Sequence, residues 1–364
     1  MNDFFAVIPV GGVGSRLWPL SRADSPKFLH DLSGDGKTLI RATWDRLRGL
    51  VSPDHIFVVA GRAHGDAIRS ELPEIPSGNL LLEPEPRDSA AAIGFAVLHV
   101  LRQNPEAIIG SFAADHVISD DHRFLLAIRS AITRAREGKI VTIGIRPTEP
   151  STAFGYIQVD SVLAQEEGLP RSVVAFVEKP TYEKATEFLG LGSFFWNAGM
   201  FIAKASVLWE FYQESRPELA RGLATFYESY LDGDEERARM LWGELNEEAI
   251  DYVVAEPAAE QGRMEMVIGQ FDWDDVGDFA ALAKLHQASE EDRVIVLGSN
   301  AKVVAQDSTG VVVSQSRRLV SLIGIQDIIV VDMPDALLIT TKNHAQDVKK
   351  MVEHMKLEGL DEVL

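Results

Sequence analysis

The sequence contains no cysteine among its 364 residues. This absence excludes disulfide bonds, thiolate catalysis and cysteine-based metal sites. No run approaches the roughly 18 apolar residues that a membrane span needs. The start, Met1-Asn2-Asp3, has neither the basic flank nor the apolar core of an export signal. We therefore expect a cytoplasmic protein that does not enter a membrane.

Positive charge is also scarce. The chain has 35 Lys and Arg against 55 Asp and Glu, which gives a formal net charge of −20 at pH 7. A field of this sign repels nucleic acids and anionic membranes, so we expect neither as a partner. A small anionic ligand would need a local positive pocket. With 46% hydrophobic residues, the chain is long enough to bury a large core and to form more than one domain.

One local positive patch follows the first predicted strand, Phe4–Val10. The segment after this strand carries three glycines, a serine and three cations: Gly11, Gly12, Gly14, Ser15, Arg16, Arg22 and Lys27. Glycines without a Cβ can turn successive backbone N–H groups toward one anion. The letters match neither the ATPase P-loop nor the dinucleotide fingerprint. Two interpretations therefore remain from the residues alone, a tight turn and a polyphosphate-binding loop.

The first 150 residues alternate short apolar runs with segments of helical periodicity, which predicts a doubly wound, parallel α/β sheet. Ligands of such sheets bind beyond the carboxyl ends of the strands, where the glycine loop, Glu83 and Asp115 are expected. The middle, with an acidic helical stretch from Glu210 to Glu248, is interpreted as an insertion that covers the sheet. Evenly spaced short strands after residue 293 predict a small β domain or solenoid, and Gln346–Leu357 predicts a closing helix.

Four ordered motifs then add a family resemblance: GGVGSRLWPLSR with SPK at its end, FVEKP at 176–180, WNAGMF at 196–201 and WDDVG at 273–277. From about residue 4 to 345 the chain resembles the mannose-1-phosphate guanylyltransferases, within the sugar-phosphate nucleotidyltransferase superfamily. This resemblance implies a mostly parallel, Rossmann-like nucleotidyltransferase domain over residues 1–290. It also implies a small left-handed β-helix-like domain over residues 291–364.

The implied reaction joins GTP and mannose 1-phosphate to give GDP-mannose and pyrophosphate, with Mg²⁺. Because a phosphate oxygen of the substrate attacks the α-phosphorus, no protein nucleophile is needed. The resemblance assigns Arg16 to the leaving pyrophosphate, places Lys27 near the phosphates as a point charge, and assigns Asp115 and Asp275 to Mg²⁺. Two alternatives stay open: Asp115 as a helix N-cap, and a neighbouring acid in place of Asp275, namely Asp272, Asp274 or Asp278.

For the sugar phosphate, the resemblance implies contacts from Glu178, Lys179 and Asn197, with Gly155 leaving room for the sugar. A carboxylate or an amide can bond several hydroxyls at once.

For the nucleotide, the resemblance adds three residues to the glycine loop: Glu83, Arg87 and Ser89. They lie in a segment similar to the family's E-P-x-x-R-N-T-A. A carboxylate suits the N–H donors of guanine, which favours Glu83, although Glu85 competes for this role. Asp88 stands where the family usually has asparagine.

Alternative functions are a related sugar-1-phosphate nucleotidyltransferase with another base or sugar, and a catalytically silent paralogue that binds nucleotide sugars as a regulatory subunit. The carboxylate of Glu83 is the feature that argues against a pyrimidine. The four charged residues Arg16, Lys27, Asp115 and Asp275 argue against a silent paralogue. The apolar β runs after residue 293 could pair across subunits of a homodimer or be capped within one chain.

Overall fold

The computed structural model describes residues 3–160, 169–286, 294–298 and 301–364. The described chain packs as two compact units. Unit 1 consists of Met1–Gly11, Thr43–Ala114 and Ile118–Trp273, and unit 2 of Gly12–Ala42, Asp115–Val117 and Asp274–Leu364. The predicted domain boundary between residues 290 and 291 lies outside the described residues.

The strands are, in chain order, β1 (Phe4–Val10), β2 (Ile56–Gly61), β3 (Leu80–Glu83), β4 (Ile108–Ser111), β5 (Val117–Ile118), β6 (Ile140–Ile145), β7 (Tyr156–Val159), β8 (Arg171–Val177), β9 (Phe194–Lys204), β10 (Met264–Ile268), β11 (Trp273–Asp274), β12 (Val294–Leu297), β13 (Lys302–Gln306), β14 (Gly310–Ser314), β15 (Leu319–Ile323), β16 (Ile328–Asp332) and β17 (Leu337–Thr341).

The α-helices are α1 (Leu39–Leu47), α2 (Gly65–Glu71), α3 (Asp88–Gln103), α4 (Asp121–Arg136), α5 (Tyr182–Leu191), α6 (Ala205–Ser215), α7 (Pro217–Asp232), α8 (Glu235–Gly243), α9 (Glu256–Glu260), α10 (Phe279–His286) and α11 (Val348–Leu357). A single π-helical turn, Asp251–Ala255, precedes α9.

Unit 1 is built on a nine-stranded sheet in the order β3-β2-β1-β4-β9-β6-β10-β8-β7. The strands β3, β2, β1 and β4 run parallel, as the alternating sequence predicts. Every residue of β1 except Pro9 is buried, which is typical of a parallel strand covered by helices on both faces. The carboxyl ends of these four strands therefore share one edge of the sheet.

The prediction that the middle of the chain covers the sheet as an insertion is wrong for β9, which is itself a strand of the sheet, whereas the acidic helical stretch does pack in one core with Val7 of β1. The long strand β9 lies between β4 and β6 and runs antiparallel to both, so this segment supplies a central strand. The acidic stretch that follows forms α6, α7 and α8. Their apolar faces, with Phe211, Leu223 and Trp242, share a core with Phe95 of α3.

In unit 2, two small sheets confirm the predicted β-helix-like domain. One has the order β12-β14-β16-β17 and the other pairs β13 with β15. All pairings are parallel except that of β16 with β17. Every residue of β14 and β16 is buried. Their apolar side chains pack with Leu17, Leu20 and Phe279, so the segment after the glycines shares a core with this small domain.

The glycine segment has a second anchor within unit 2. Trp18 is buried against Val348 and Val352 of α11. Its indole Nε1 donates to the carbonyl oxygen of Val363 at 2.6 Å. Residues 345 positions apart in sequence therefore hold the loop in place.

None of the helices in the described ranges has the length and apolar character that crossing a membrane requires.

Candidate functional site

The glycine loop of unit 2 has the backbone conformation that its sequence predicts. Gly12 and Gly14 have φ values of 78° and 74°, in the left-handed region that favours glycine. A Cβ at Gly14 would lie 2.8 Å from the Cβ of Lys27, too close for any side chain. A short 3₁₀ turn, Ser15–Leu17, follows at once. The loop is thus a tight turn, and its tightness lets Lys27 pack directly against it.

Lys27 is the centre of a charged group that we call the lysine cluster, made of Lys27, Asp115 and Asp275. The lysine side chain is only 7% exposed. Its Nζ donates to Asp115 Oδ2 at 2.8 Å and also to the backbone carbonyl of Asp275. The structure therefore brings together three of the four predicted catalytic residues, which lie far apart in sequence.

The other two cations of the loop differ from each other. Arg16 is exposed and makes no ion pair or side-chain hydrogen bond with the residues that the structure describes. Arg22 instead forms a bidentate pair with Asp335, with N–O distances of 2.6 and 2.8 Å. Within the predicted positive patch, the exposed guanidinium of Arg16 is thus available to a ligand, whereas that of Arg22 is paired with Asp335.

The acids around Asp275 have different partners, which bears on which of them could bind a cation. Asp274 accepts from the N–H of Val276 at 2.6 Å, and Asp278 accepts from Ala280 N–H at 2.7 Å. Asp272 accepts from the hydroxyl of Ser119 at 2.9 Å. Within the described ranges, the carboxylate of Asp275 has no hydrogen-bond partner. Among the four neighbouring acids, Asp275 is therefore the one with its oxygens unused.

The electrostatics of the lysine cluster favour a bound cation. Burial raises the pKa of Asp275 to about 6, Lys27 opposes that rise, and the negative charges of Asp274, Asp115 and Asp278 add to it. Burial also works against ionisation of Asp115, but Lys27 and His116 bring its pKa below the usual range. Two carboxylates with one lysine leave a net negative charge of hard oxygen ligands, which a divalent metal ion fits. No group of three or more His, Asp or Glu side chains able to hold a metal occurs in the ranges described.

In unit 1, Glu83 ends β3 in a buried environment. Its Oε1 has no hydrogen-bond partner among the described residues. Burial raises the pKa of Glu83 to about 8, so the side chain is mostly protonated at neutral pH. The interpretation of Glu83 as a carboxylate that binds the base therefore requires a ligand whose N–H donors stabilise the ionised form of its side chain.

The residues that follow Glu83 are engaged within the chain. Arg87 bonds to Glu85, to the carbonyl of Gly243 at 2.7 Å and to Glu247 at 3.4 Å. Glu85, the competitor for the base, is therefore paired with Arg87. The hydroxyl of Ser89 accepts from Ile250 N–H at 3.0 Å. These contacts hold the segment in place, and no other described contact directs Arg87 or Ser89 to a ligand.

Asp88, the departure from the family pattern, begins α3 in a left-handed conformation with φ of 61°. Its Oδ1 accepts from the N–H of Ser89 at 2.6 Å. A carboxylate near a helix N-terminus is stabilised by the exposed N–H groups and by the helix dipole. The aspartate is thus accounted for locally by the start of the helix.

Two of the predicted sugar ligands meet at Gly155. A Cβ at this position would lie 2.5 Å from Oε2 of Glu178 and 3.5 Å from the Cβ of Asn197. The backbone N–H of Asn197 donates to Gly155 O at 2.8 Å. Lys179 Nζ pairs with Glu178 at 2.9 Å, and its side chain is 64% exposed. All four predicted sugar-phosphate residues of unit 1 are therefore neighbours.

Asn197 belongs to a second group, the amide cluster, which consists of Thr142, Glu178, Asn197 and Asp251. The hydroxyl of Thr142 donates to Asn197 Oδ1 at 2.8 Å, and Asn197 Nδ2 donates to Asp251 Oδ1 at 3.0 Å. Burial, followed by the charge of Glu178, raises the pKa of Asp251 to about 7. Asp251 is not identified from the sequence, because 54 residues separate it from Asn197 and no motif marks it.

Comparison with known proteins gives two family matches. The family described as "Nucleotidyl transferase" matches residues 5–292, and the "MannoseP isomerase/GMP-like beta-helix domain" matches residues 301–355. The mannose-1-phosphate guanylyltransferase of Escherichia coli K12 is 34% identical over 379 residues, covering 99% of this chain and 75% of that protein.

Further similarity is found in other organisms. Alginate biosynthesis protein AlgA of Pseudomonas aeruginosa is 33% identical over 369 residues, covering 98% of this chain and 73% of that protein. A crystal structure from Thermus thermophilus, reported as a mannose-1-phosphate geranyltransferase, has a TM-score of 0.84 and 32% identity. That match covers 97% of this chain and 99% of the other.

Proposed function

Because this chain is a member of the mannose-1-phosphate guanylyltransferases of the nucleotidyl transferase family, we propose that it converts GTP and α-D-mannose 1-phosphate to GDP-mannose and pyrophosphate. The observation that carries the proposal is the lysine cluster, in which a buried lysine bonds the carboxylate of Asp115 and the backbone carbonyl of Asp275, the two residues that the family resemblance assigns to the metal. Such an arrangement serves phosphoryl chemistry through charge and positioning.

In this reaction a phosphate oxygen of mannose 1-phosphate forms a bond to the α-phosphorus of GTP. The bond from that phosphorus to the β-phosphate bridging oxygen breaks in line, and pyrophosphate leaves with the electron pair. Arg16 suits the leaving group because its exposed guanidinium offers a planar fork to phosphate oxygens. Lys27 holds a fixed positive charge beside Asp115, and the backbone N–H groups of the glycine loop orient the phosphates.

The family typically uses a divalent metal ion, and we propose Mg²⁺ for this chain, held by Asp115 and Asp275. When bound, it supplies positive charge that offsets the charge on the triphosphate. The free carboxylate of Asp275 and the excess negative charge around it support this choice. Phosphate oxygens and water would complete the oxygen shell that Mg²⁺ prefers.

For the sugar, we propose that Glu178 and Asn197 bond hydroxyl groups while Lys179 contacts the phosphate. The exposed ammonium of Lys179 supports the last role. Gly155 leaves the space between Glu178 and Asn197 open, since any side chain there would collide with the carboxylate. For the base, we propose Glu83, whose unpartnered buried oxygen can accept from the N–H donors of guanine. Arg87 is proposed to support the nucleotide side through the segment that it holds, whereas the described contact of Ser89 is with the N–H of Ile250, beside the amide cluster.

The proposal is tested by incubating the protein with Mg²⁺ and mannose 1-phosphate against GTP, ATP, UTP and dTTP in turn, and following pyrophosphate release. We expect turnover with GTP to exceed that with the other nucleotides. A parallel series with glucose 1-phosphate tests the sugar. Binding of GDP-mannose without release of pyrophosphate from any nucleotide would instead identify a silent paralogue.

We further propose a cytoplasmic homodimer that pairs through the β-helix-like domain. The face of this domain formed by β13 and β15 carries exposed apolar side chains, with Val304 at 60%, Leu319 at 62% and Ile323 at 74% exposure. Exposed apolar strands are typical of protein interfaces. Sedimentation analysis of the wild type and of Ile323→Lys tests this: the substitution should shift the species from dimer to monomer.

A further inference from the structure

Asp251, like Thr142, belongs to the amide cluster but lies in none of the sequence motifs. It occupies the first position of the single π-helical turn Asp251–Ala255. Such turns are rare and occur frequently at functional sites. The irregular turn places its carboxyl group against the amide of Asn197, with a distance of 3.0 Å between Asp251 Oδ1 and Asn197 Nδ2.

The amide of Asn197 has one orientation that satisfies its neighbours. Its Oδ1 accepts from the Thr142 hydroxyl at 2.8 Å and from the backbone N–H of Gly199 at 3.2 Å. A flipped amide would set its NH₂ group against the Gly199 N–H and its oxygen against the Asp251 carboxyl. Gly199 and Asp251 together therefore fix the orientation.

This orientation leaves one hydrogen-bonding group to spare. An amide NH₂ has two protons, and Asp251 accepts one of them. The oxygen of Asn197 already has two donors. What Asn197 can offer a ligand is thus a single N–H donor, whose direction depends on Asp251.

Asp251 is itself held by the start of α3. The hydroxyl of Ser89 accepts from the N–H of Ile250, the residue before Asp251, at 3.0 Å. The N–H of Ala90 donates to the carbonyl of Glu248 at 3.1 Å. Ser89 and Ala90 therefore fix the backbone on which Asp251 sits.

The charges around Asp251 come from two segments. Glu178 and Lys179 act on it from the turn after β8, and Asp88 acts from the start of α3. Glu178 and Lys179 are paired with each other at 2.9 Å. The Asp251 side chain thus takes its direct hydrogen bond from Asn197, while these charges act on it through space.

We propose that Asp251 is a positioning residue of the sugar-phosphate site, which holds the amide of Asn197 so that its second N–H points to a hydroxyl oxygen of the sugar. This inference rests on the proposed function. It gives Asp251 no contact with the reacting phosphates. It also makes Ser89 a support of the sugar site, through Ile250, rather than a direct ligand of the nucleotide.

The test compares Asp251→Ala and Asp251→Asn with the matched control Glu260→Gln, an exposed acid at the end of α9. KM values for mannose 1-phosphate and GTP are measured separately. We expect Asp251→Ala to raise KM for mannose 1-phosphate about tenfold, the worth of one oriented hydrogen bond, with KM for GTP within about twofold of wild type. Asp251→Asn should recover most of the loss because its amide oxygen still accepts from Asn197.

A second variant, Ser89→Ala, tests the same inference in case Asp251→Ala does not fold. It should raise KM for mannose 1-phosphate about threefold and leave KM for GTP nearly unchanged. An equal rise of both KM values in Asp251→Ala, or an Asn variant as impaired as the Ala variant, would overturn the inference. So would a selective rise of KM for GTP in Ser89→Ala. A wild-type protein that releases no pyrophosphate counts against the proposed function instead.

Discussion

Asp115 in the lysine cluster of unit 2 and Asp251 in the amide cluster of unit 1 have pKa values that are shifted in opposite directions. In the lysine cluster, the ammonium of Lys27 lies 2.8 Å from Asp115 and keeps the pKa of that carboxyl below its usual range despite burial. In the amide cluster, Asp251 accepts from a neutral amide, and burial raises its pKa to about 7.

This difference fits the separate roles that we propose for the two clusters, charge stabilisation and sugar binding. A preformed ion pair fixes charges in place, as stabilisation of a developing charge requires. An amide held by hydrogen bonds fixes directions, as the proposed discrimination among sugar hydroxyls requires. Substitutions in the lysine cluster should therefore lower kcat, whereas substitutions in the amide cluster should raise KM for the sugar phosphate.

The largest expected effect tests the first half of this comparison. Asp275→Ala should lower kcat about 10³-fold, because it removes a proposed metal ligand from the site of charge development. Thermal stability should be unchanged or slightly higher, since Asp275 lies among Asp115, Asp274 and Asp278 and their repulsion is relieved. Pyrophosphate release and thermal unfolding are the measurements. Turnover within about tenfold of wild type would assign the metal to another acid.

Glu83 extends the comparison to a third buried acid, one without any described partner for Oε1. Its pKa is raised from 4.5 to about 8, so its contribution to stability is complete below about pH 4.5 and is lost as pH rises through about 8. The unfolding free energy of the wild type should therefore fall between about pH 5.5 and pH 8.5. In Glu83→Gln this fall should be smaller by about 3 kcal/mol.

Denaturant unfolding at the two pH values measures this slope, with the exposed Glu187→Gln as control. The slope is the diagnostic quantity because the glutamine introduces buried donors of its own, which alter stability at both pH values alike. Parallel slopes for Glu83→Gln and wild type would show that Glu83 is ionised in the folded protein.

Gly155→Ala tests the second half of the comparison. The new methyl group would lie 2.5 Å from Oε2 of Glu178, so the carboxylate must move. We expect KM for mannose 1-phosphate to rise about tenfold, with KM for GTP within about twofold. Steady-state kinetics with each substrate varied in turn is the measurement. A loss confined to kcat would contradict the division between the two clusters.

The smallest effect is expected for Asp335→Asn. The substitution breaks the bidentate pair with Arg22 and frees a cation beside the glycine loop. Because Asp335 is about half exposed, the loss of stability should stay within about 1 kcal/mol. KM for GTP should change by less than about threefold. A large fall in KM for GTP would show that Arg22 reaches the nucleotide once released.

Local features of this fold are readable in the sequence. Apolar runs flanked by polar turns mark the strands β6 and β15 directly, at Ile140–Ile145 and Leu319–Ile323. Helix α3 is predicted near residues 89–102 and spans Asp88–Gln103. Where a single segment carries its own periodicity, its structure follows from the letters.

Strand pairing and contacts between residues far apart in the chain are harder to predict from the sequence. The central antiparallel position of β9 depends on which strands it pairs with, and a buried apolar run does not encode direction. The pairing of Lys27 with Asp115 spans 88 residues, and neither a local pattern nor a motif predicts it. Asp251 cannot be identified from the sequence, because its contact with the amide of Asn197 forms only when the chain folds. The pairing of Arg22 with Asp335 is hidden for the same reason.

The contact of Trp18 with α11 and Val363 has a consequence for the order in which the protein matures. The groups that pack against Trp18 are synthesised hundreds of residues after the glycine loop. Since domains generally fold during synthesis as their segments emerge, unit 2 must wait for residues 348–363 while unit 1 already has most of its sheet. The glycine loop is thus completed late, and a nascent chain stalled before residue 348 would lack the contacts of Trp18 with α11.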